Sequence, residues 1–213
     1  MTMKKLLTIT AAAFMAISAS AQSEAGSLTW KPNVGFTYTT PTSDLGRYAD
    51  GGFGITAGVE AMYMVNEKFG AALGVNYTGY GVTDKYWDNS VLSTNYYFNI
   101  PVTANYYVAP GLALKAGIAL NILSSAELRT SFVAPYNSSY YSSAEMDYYY
   151  GRDLESMKPK DYYKSTFFSI PVGASYEYKN FVLDACYNIG LSKVGEYHKG
   201  TYNTFTFTVG YKF

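Results

Sequence analysis

Cysteine is almost missing from this chain. Cys186 is the only one in 213 residues, so an internal disulfide and a CxxC metal pair are both excluded. Its interior position also excludes the lipidated first residue of a lipoprotein. Histidine is equally scarce: His198 stands alone. Charged residues make up 15% of the chain, below the usual quarter, and the two signs balance at 16 each. Without a basic excess, nucleic acid is not an expected partner. No HExxH, phosphate-binding glycine loop or nucleophile elbow appears, and no cofactor is implied. After Gln22 no apolar run approaches the roughly 20 residues of a membrane-spanning helix.

The one apolar run lies at the amino terminus. Lys4 and Lys5 precede the stretch from Leu6 to Ile17, and Ala19-Ser20-Ala21 followed by Gln22 forms a small-x-small cleavage site. This is the pattern of a secretory signal over residues 1–21, too short to span. Its removal leaves an acidic excess of about two charges in residues 22–213. One exported domain is expected.

What the chain has in abundance is tyrosine, 24 of them, and aromatics reach 18%. They fall in a period-two pattern. From Thr201 to Phe213, the side chains of Phe205, Phe207, Val209, Tyr211 and Phe213 alternate with Thr206, Thr208, Gly210 and Lys212. A strand places these two sets on opposite faces. The pattern recurs at Thr29–Thr39, Phe53–Val65, Phe69–Thr78, Thr94–Val108, Leu112–Leu123, Ser165–Tyr178 and Phe181–Leu191. Each segment has one aliphatic and aromatic face; the other is largely small or polar.

Eight such strands imply an all-β, antiparallel, up-and-down transmembrane barrel. The short links Asn66-Glu67-Lys68, Ala109-Pro110-Gly111 and Lys179-Asn180 alternate with long ones. All tight turns then lie at one end, and long surface loops at 40–52, 79–92, 124–163 and 192–200 lie at the other. The strands meet the roughly 9–11 residues needed to cross a bilayer at a tilt. An outward face of Phe, Tyr, Val and Leu over an inward face of Gly, Thr and Asn is outer-membrane chemistry. A soluble lipocalin-like barrel would turn the apolar face inward and coat itself in glycine and threonine, which solvates poorly. On this reading the terminal strand pairs with Thr29–Thr39 and closes the ring.

A weak repeat underlies the pattern. Tyr96–Val108 and Thr166–Tyr178 share six of thirteen residues, so two hairpins resemble copies of one another. Each carries an in-strand proline, Pro101 or Pro171. Both are expected to face the lumen, each beside a bulge or a missing ladder bond.

The leader ending Ala19-Ser20-Ala21-Gln22, the Ile100-Pro101 and Ile170-Pro171 strands and the aromatic last strand resemble the outer-membrane β-barrel proteins of Bacteroidetes, in particular the PorT-like, porin-family group. The likeness spans nearly the whole mature chain. It implies residence in the outer membrane of a Gram-negative bacterium, with lipid and lipopolysaccharide as surroundings. It also implies a possible accessory role in transport or protein secretion. In outer-membrane proteins generally, a terminal strand ending in phenylalanine resembles the signal read by the barrel-assembly machinery, and Phe213 fits that position.

Six charges fall on the inward face: Lys31, Glu60, Lys115, Glu177, Asp184 and Lys212. A narrow eight-stranded lumen is just filled by side chains, and unpaired charges in so dry a space are costly. Strand order predicts a balanced structural network toward the short-turn end, pairing Lys31 with Glu60, Lys115 with Glu177 and Asp184 with Lys212. A wide pore is not expected. The longest insertion, 124–163, holds eight tyrosines, including Tyr148, Tyr149 and Tyr150 beside Arg152. Tyrosine offers broad contact area with a polar tip, so these four are candidates for recognising an extracellular protein or glycan. The plainer reading of the insertion is an upward extension of its flanking strands, with tyrosine forming an interfacial girdle. His198 with Ser192 is the one pairing open to a lipid-modifying enzyme, and no supporting motif accompanies it. The expected role is non-enzymatic.

Overall fold

The computed structural model describes residues 24–42, 49–86, 89–131, 163–194 and 200–213. The proposed leader, Tyr148–Tyr150, Arg152 and His198 lie outside the described residues.

Eight strands follow one another in sequence: β1 (Leu28–Pro41), β2 (Ala49–Asn66), β3 (Phe69–Tyr86), β4 (Asn89–Ala109), β5 (Leu112–Ser131), β6 (Thr166–Tyr178), β7 (Phe181–Gly190) and β8 (Tyr202–Tyr211). Each pairs antiparallel with its sequence neighbours, and β8 returns to β1, so the sheet closes as a barrel. The closing ladder runs from Asn33 opposite Gly210 to Pro41 opposite Tyr202. Closure removes the free edges that would otherwise leave backbone groups unpaired in a membrane.

The turns follow from their residues. Asn66 Oδ1 accepts from the N–H groups of Lys68 and Phe69 at 2.9 and 3.0 Å, an Asx turn. Lys179 takes a positive φ of 54° between β6 and β7, as a two-residue hairpin of primed type requires.

The period-two face is directed as expected. Val34, Phe36, Ile55, Leu73, Val102, Leu114, Ile118 and Leu183 stand on the outside, and Lys31, Thr37, Thr56, Asn105, Asn121 and Thr208 are buried inside. Along β2 the outward face runs from Tyr63 to Phe53. That is about ten residue steps, or roughly 25 Å at a ~40° tilt, which matches the apolar band of outer-membrane barrels. Aromatic residues gather at both edges of this band. Phe181 meets Tyr211 edge-on at the short-turn rim, and Tyr38 packs on Phe53 and Tyr77 on Tyr96 at the other.

Three of the expected loops are shorter than the sequence suggests. Residues 79–92 are mostly strand, because β3 runs on to Tyr86 and β4 begins at Asn89. β2 begins at Ala49 and β5 runs on to Ser131. Beyond Tyr77 the outward face no longer has to be apolar, and Tyr80 and Val82 turn inward instead, so the outward alternation ends where the strand does not. β3, β4 and β5 therefore rise roughly 20 Å beyond Tyr77, and β2 pairs alongside β3 as far as Ala49 opposite Asp84. Their pairing reaches Tyr86 opposite Asn89, and Ser90 opposite Ser131. The strand that rises with β5 is β4, not β6, which pairs with β5 only up to Thr166 opposite Ile122.

Both prolines face the lumen cavity, and each leaves a gap in one ladder. Rungs are missing between β3 and β4 at Gly74/Pro101, and between β5 and β6 at Gly117/Pro171, with no change of register. So the ladder bond is lost but no bulge forms there. A glycine stands opposite each proline. At Gly74 an added Cβ would lie 3.0 Å from the Pro101 ring.

Candidate functional site

The interior is filled in three layers. At the short-turn end Met62, Met64, Ala72, Tyr107 and Ala113 pack together. Among them Glu177 is buried, bonded by Lys212 Nζ and by the Tyr107 hydroxyl.

Above this layer lies a ring of four charges from four strands. Lys31 of β1 bonds Glu60 of β2 at 2.7 Å and Asp184 of β7 at 2.6 Å. Lys115 of β5 reaches the same two carboxylates across the lumen, at 3.1 and 2.8 Å. Each lysine touches both acids and each acid touches both lysines, so the ring is neutral. All four side chains are nearly inaccessible, with exposures of 6–12%.

Two pairings expected from strand order do not form as expected. The register places Lys115 opposite Gly173, and Asp184 opposite Thr208. Glu177 and Lys212 lie four residues lower on those strands. Neighbours in strand order thus differ in height. Lys115 turns to Glu60 and Asp184, and Glu177 takes Lys212 from the strand beyond.

Over the ring is a chamber of about 70 Å³ walled by the ring itself and by Asn33, Thr56, Asn76, Asn99, Thr103, Cys186, Asn188 and Thr206. That is room for a few water molecules. Asn99 Nδ2 and the Tyr80 hydroxyl both donate to Asn121 Oδ1 at 2.7 Å. Below the ring lies a smaller space of about 10 Å³, lined among others by Met62, Asn105, Glu177 and Lys212.

The third layer is aromatic. Tyr80, Tyr97, Phe167 and Tyr202 meet edge-on or stacked, with centroids 5.0–6.3 Å apart. Val82, Val194 and Ala49 complete the cluster at the long-loop end. Reasoning from the dominant face did not single these residues out. The signal was present: Tyr97 and Phe167 are aromatics placed out of phase, between Tyr96 and Phe98 and beside Phe168.

The remaining site residues separate. Phe213 lies at the short-turn rim, its N–H donating to Trp30 O at 2.9 Å and its ring 4.9 Å from Tyr211. Ser192 Oγ accepts from the Phe168 N–H at 2.8 Å, stitching β6 to the strand that follows it. Among the described residues, no group of His, Cys, Asp and Glu is arranged to hold a metal.

A closed, lipid-faced, eight-stranded barrel with a packed lumen defines an outer-membrane β-barrel protein. The family model described as "Outer membrane protein beta-barrel domain" matches residues 20–196, and the chain belongs to that family. Its setting is the outer membrane of a Gram-negative bacterium. The chain is similar in structure to Ail, the attachment invasion locus protein of Yersinia pestis. That likeness is at 16% identity and TM-score 0.46, covering 89% of this chain and 99% of that one. Neisserial surface protein A is similar at 14% identity and TM-score 0.44, covering 86% and 95%. OprG from Pseudomonas aeruginosa is similar at 12% identity and TM-score 0.41, covering 89% and 98%. No curated protein matches the chain.

Proposed function

We propose that this protein is a non-enzymatic surface-recognition barrel whose working part is its long-loop end. One observation carries the reading: the barrel invests its extra chain in a sheet that rises above the membrane, over a lumen closed by side chains. β3, β4 and β5 extend well beyond the apolar band, whereas β6, β7 and β8 stop near its edge. With the short turns on the periplasmic side, the raised sheet is presented outside the cell. Tyr148, Tyr149, Tyr150 and Arg152, in the chain that follows β5, supply adaptable contact chemistry for a protein or glycan. Lipid and lipopolysaccharide surround the belt. Phe213, at the short-turn rim beside Tyr211, is the aromatic through which the barrel-assembly machinery would engage the chain.

The test uses full-length protein in liposomes, applied to arrays of glycans and extracellular-matrix proteins. Wild type is expected to bind a defined subset. Replacing Tyr148, Tyr149, Tyr150 and Arg152 with alanine should cut that binding at least tenfold, the loss of about 1.4 kcal/mol or more. The barrel should stay folded, because the membrane belt is untouched. Absence of binding by wild type, or equal binding by the variant, would remove the recognition reading.

A further inference from the structure

The outer face carries a groove that the barrel does not need for closure. It is a shallow depression open to the lipid side, over the β1–β8 seam in the short-turn half, lined by Pro32, Val34, Phe181, Val209 and Tyr211, with about 410 Å³ of space. Its floor is where the closing ladder is interrupted. The continuous ladder ends at Asn33 opposite Gly210, and backbone pairing resumes only at Trp30 and Phe213. Pro32 has no N–H to give to the strand beside it. On the lumen side of the same point the Lys31 stem packs against Gly210, and a Cβ there would fall 2.7 Å from Lys31 Cγ. The unpaired stretch at Pro32 therefore lies under an apolar trough bordered by Val34, Phe181, Val209 and Tyr211.

We propose that this trough holds one acyl chain of a phospholipid from the periplasmic leaflet, with Lys179 beside its phosphate. Three observations point to this occupant. The groove is continuous with the lipid-facing belt, which is the barrel's established interface. Its walls are the side chains of that belt. And Lys179, in the tight turn two residues before Phe181, sits at the adjoining rim, with its ammonium 5.6 Å from the centre of the Tyr178 ring. Lysine and tyrosine at this depth suit the headgroup zone. A chain seated here would cover backbone at the one point of the seam where a ladder partner is missing, which open hydrocarbon contact leaves unfavourable.

The test uses full-length protein in vesicles of phosphatidylethanolamine and phosphatidylglycerol. A trace of the phosphatidylglycerol carries a photoreactive diazirine on one acyl chain. After irradiation, labelled peptides are mapped by mass spectrometry. Labelling is expected to concentrate on residues 32–34 and 209–211. Val209→Trp, which fills the trough, should reduce it severalfold while the protein keeps its heat-modifiable migration. Val34→Trp serves if Val209→Trp does not fold. Lys179→Gln should lower labelling by the anionic lipid. Labelling spread evenly around the belt, or undiminished in a folded trough-filled variant, would overturn the site. Equal labelling of Lys179→Gln would overturn the headgroup contact.

Discussion

Replacing Asp184 with alanine is expected to destabilise the folded barrel by about 3–5 kcal/mol, the usual cost of breaking a buried ion pair from one side. Asp184 is bonded by both Lys31 and Lys115. Without it two ammonium groups share Glu60 in a space where water has little access. The decisive comparison is a double variant. Asp184→Leu with Lys115→Met removes one charge of each sign and leaves the Lys31–Glu60 contact of 2.7 Å in place. Well-packed apolar replacement of a buried pair is often close to neutral. The double variant should therefore recover most of the lost stability in a urea titration of the membrane-reconstituted protein. If the single and double variants lose stability equally, the ring is not coupled as its geometry indicates.

The second large effect is steric and lies at the closing seam. Gly35 of β1 stands opposite Thr208 of β8. A Cβ built on Gly35 would fall 1.9 Å from the Phe207 carbonyl oxygen. That obstacle is backbone, so no rotamer change relieves it. Gly35→Val should keep β8 from docking and abolish the folded form, a penalty at or beyond the roughly 1–3 kcal/mol of ordinary overpacking. The readout is migration in SDS without boiling, where a folded barrel runs apart from its heated form. Val34→Leu, one residue away on the lipid face, should migrate like wild type. A fully folded Gly35→Val protein would contradict the observed strand approach.

How much of this was legible beforehand depended on which solvent a residue meets. Within the bilayer band one face must be apolar, so Phe205, Phe207 and Val209 announced both their strand and their face. Above the band the constraint lapses. Residues 79–86 and 89–92 carry no apolar outward face, with Tyr80 and Val82 turned inward, and their strands read as a loop. Inside the barrel, the inward charges could be listed from alternation alone, but their partners could not. Register decides height, and it places Gly173 rather than Glu177 beside Lys115. The aromatic layer was hidden for a related reason. Tyr97 and Phe167 sit next to outward aromatics, so they add to the local count without disturbing the dominant face. The prolines were read well, because a missing N–H acts locally and needs no knowledge of distant packing.

The first strand and the last now have distinct duties along one seam. Thr206, Thr208 and Lys212 of the terminal segment line or brace the lumen. Val209 and Tyr211 on its other face border the lipid trough.

The lumen is closed in three places: the Met62–Met64–Tyr107 layer, the four-charge ring and the Tyr80–Tyr97–Phe167–Tyr202 layer. Conductance across a planar bilayer tests this most directly. Purified, folded full-length protein should insert without opening sustained, stepwise current, because the chamber over the charge ring is only about 70 Å³ and lies between the aromatic layer and the Met62–Met64–Tyr107 layer. Reproducible single-channel steps from the wild-type protein would show an open path through the barrel and contradict the sealed-lumen account.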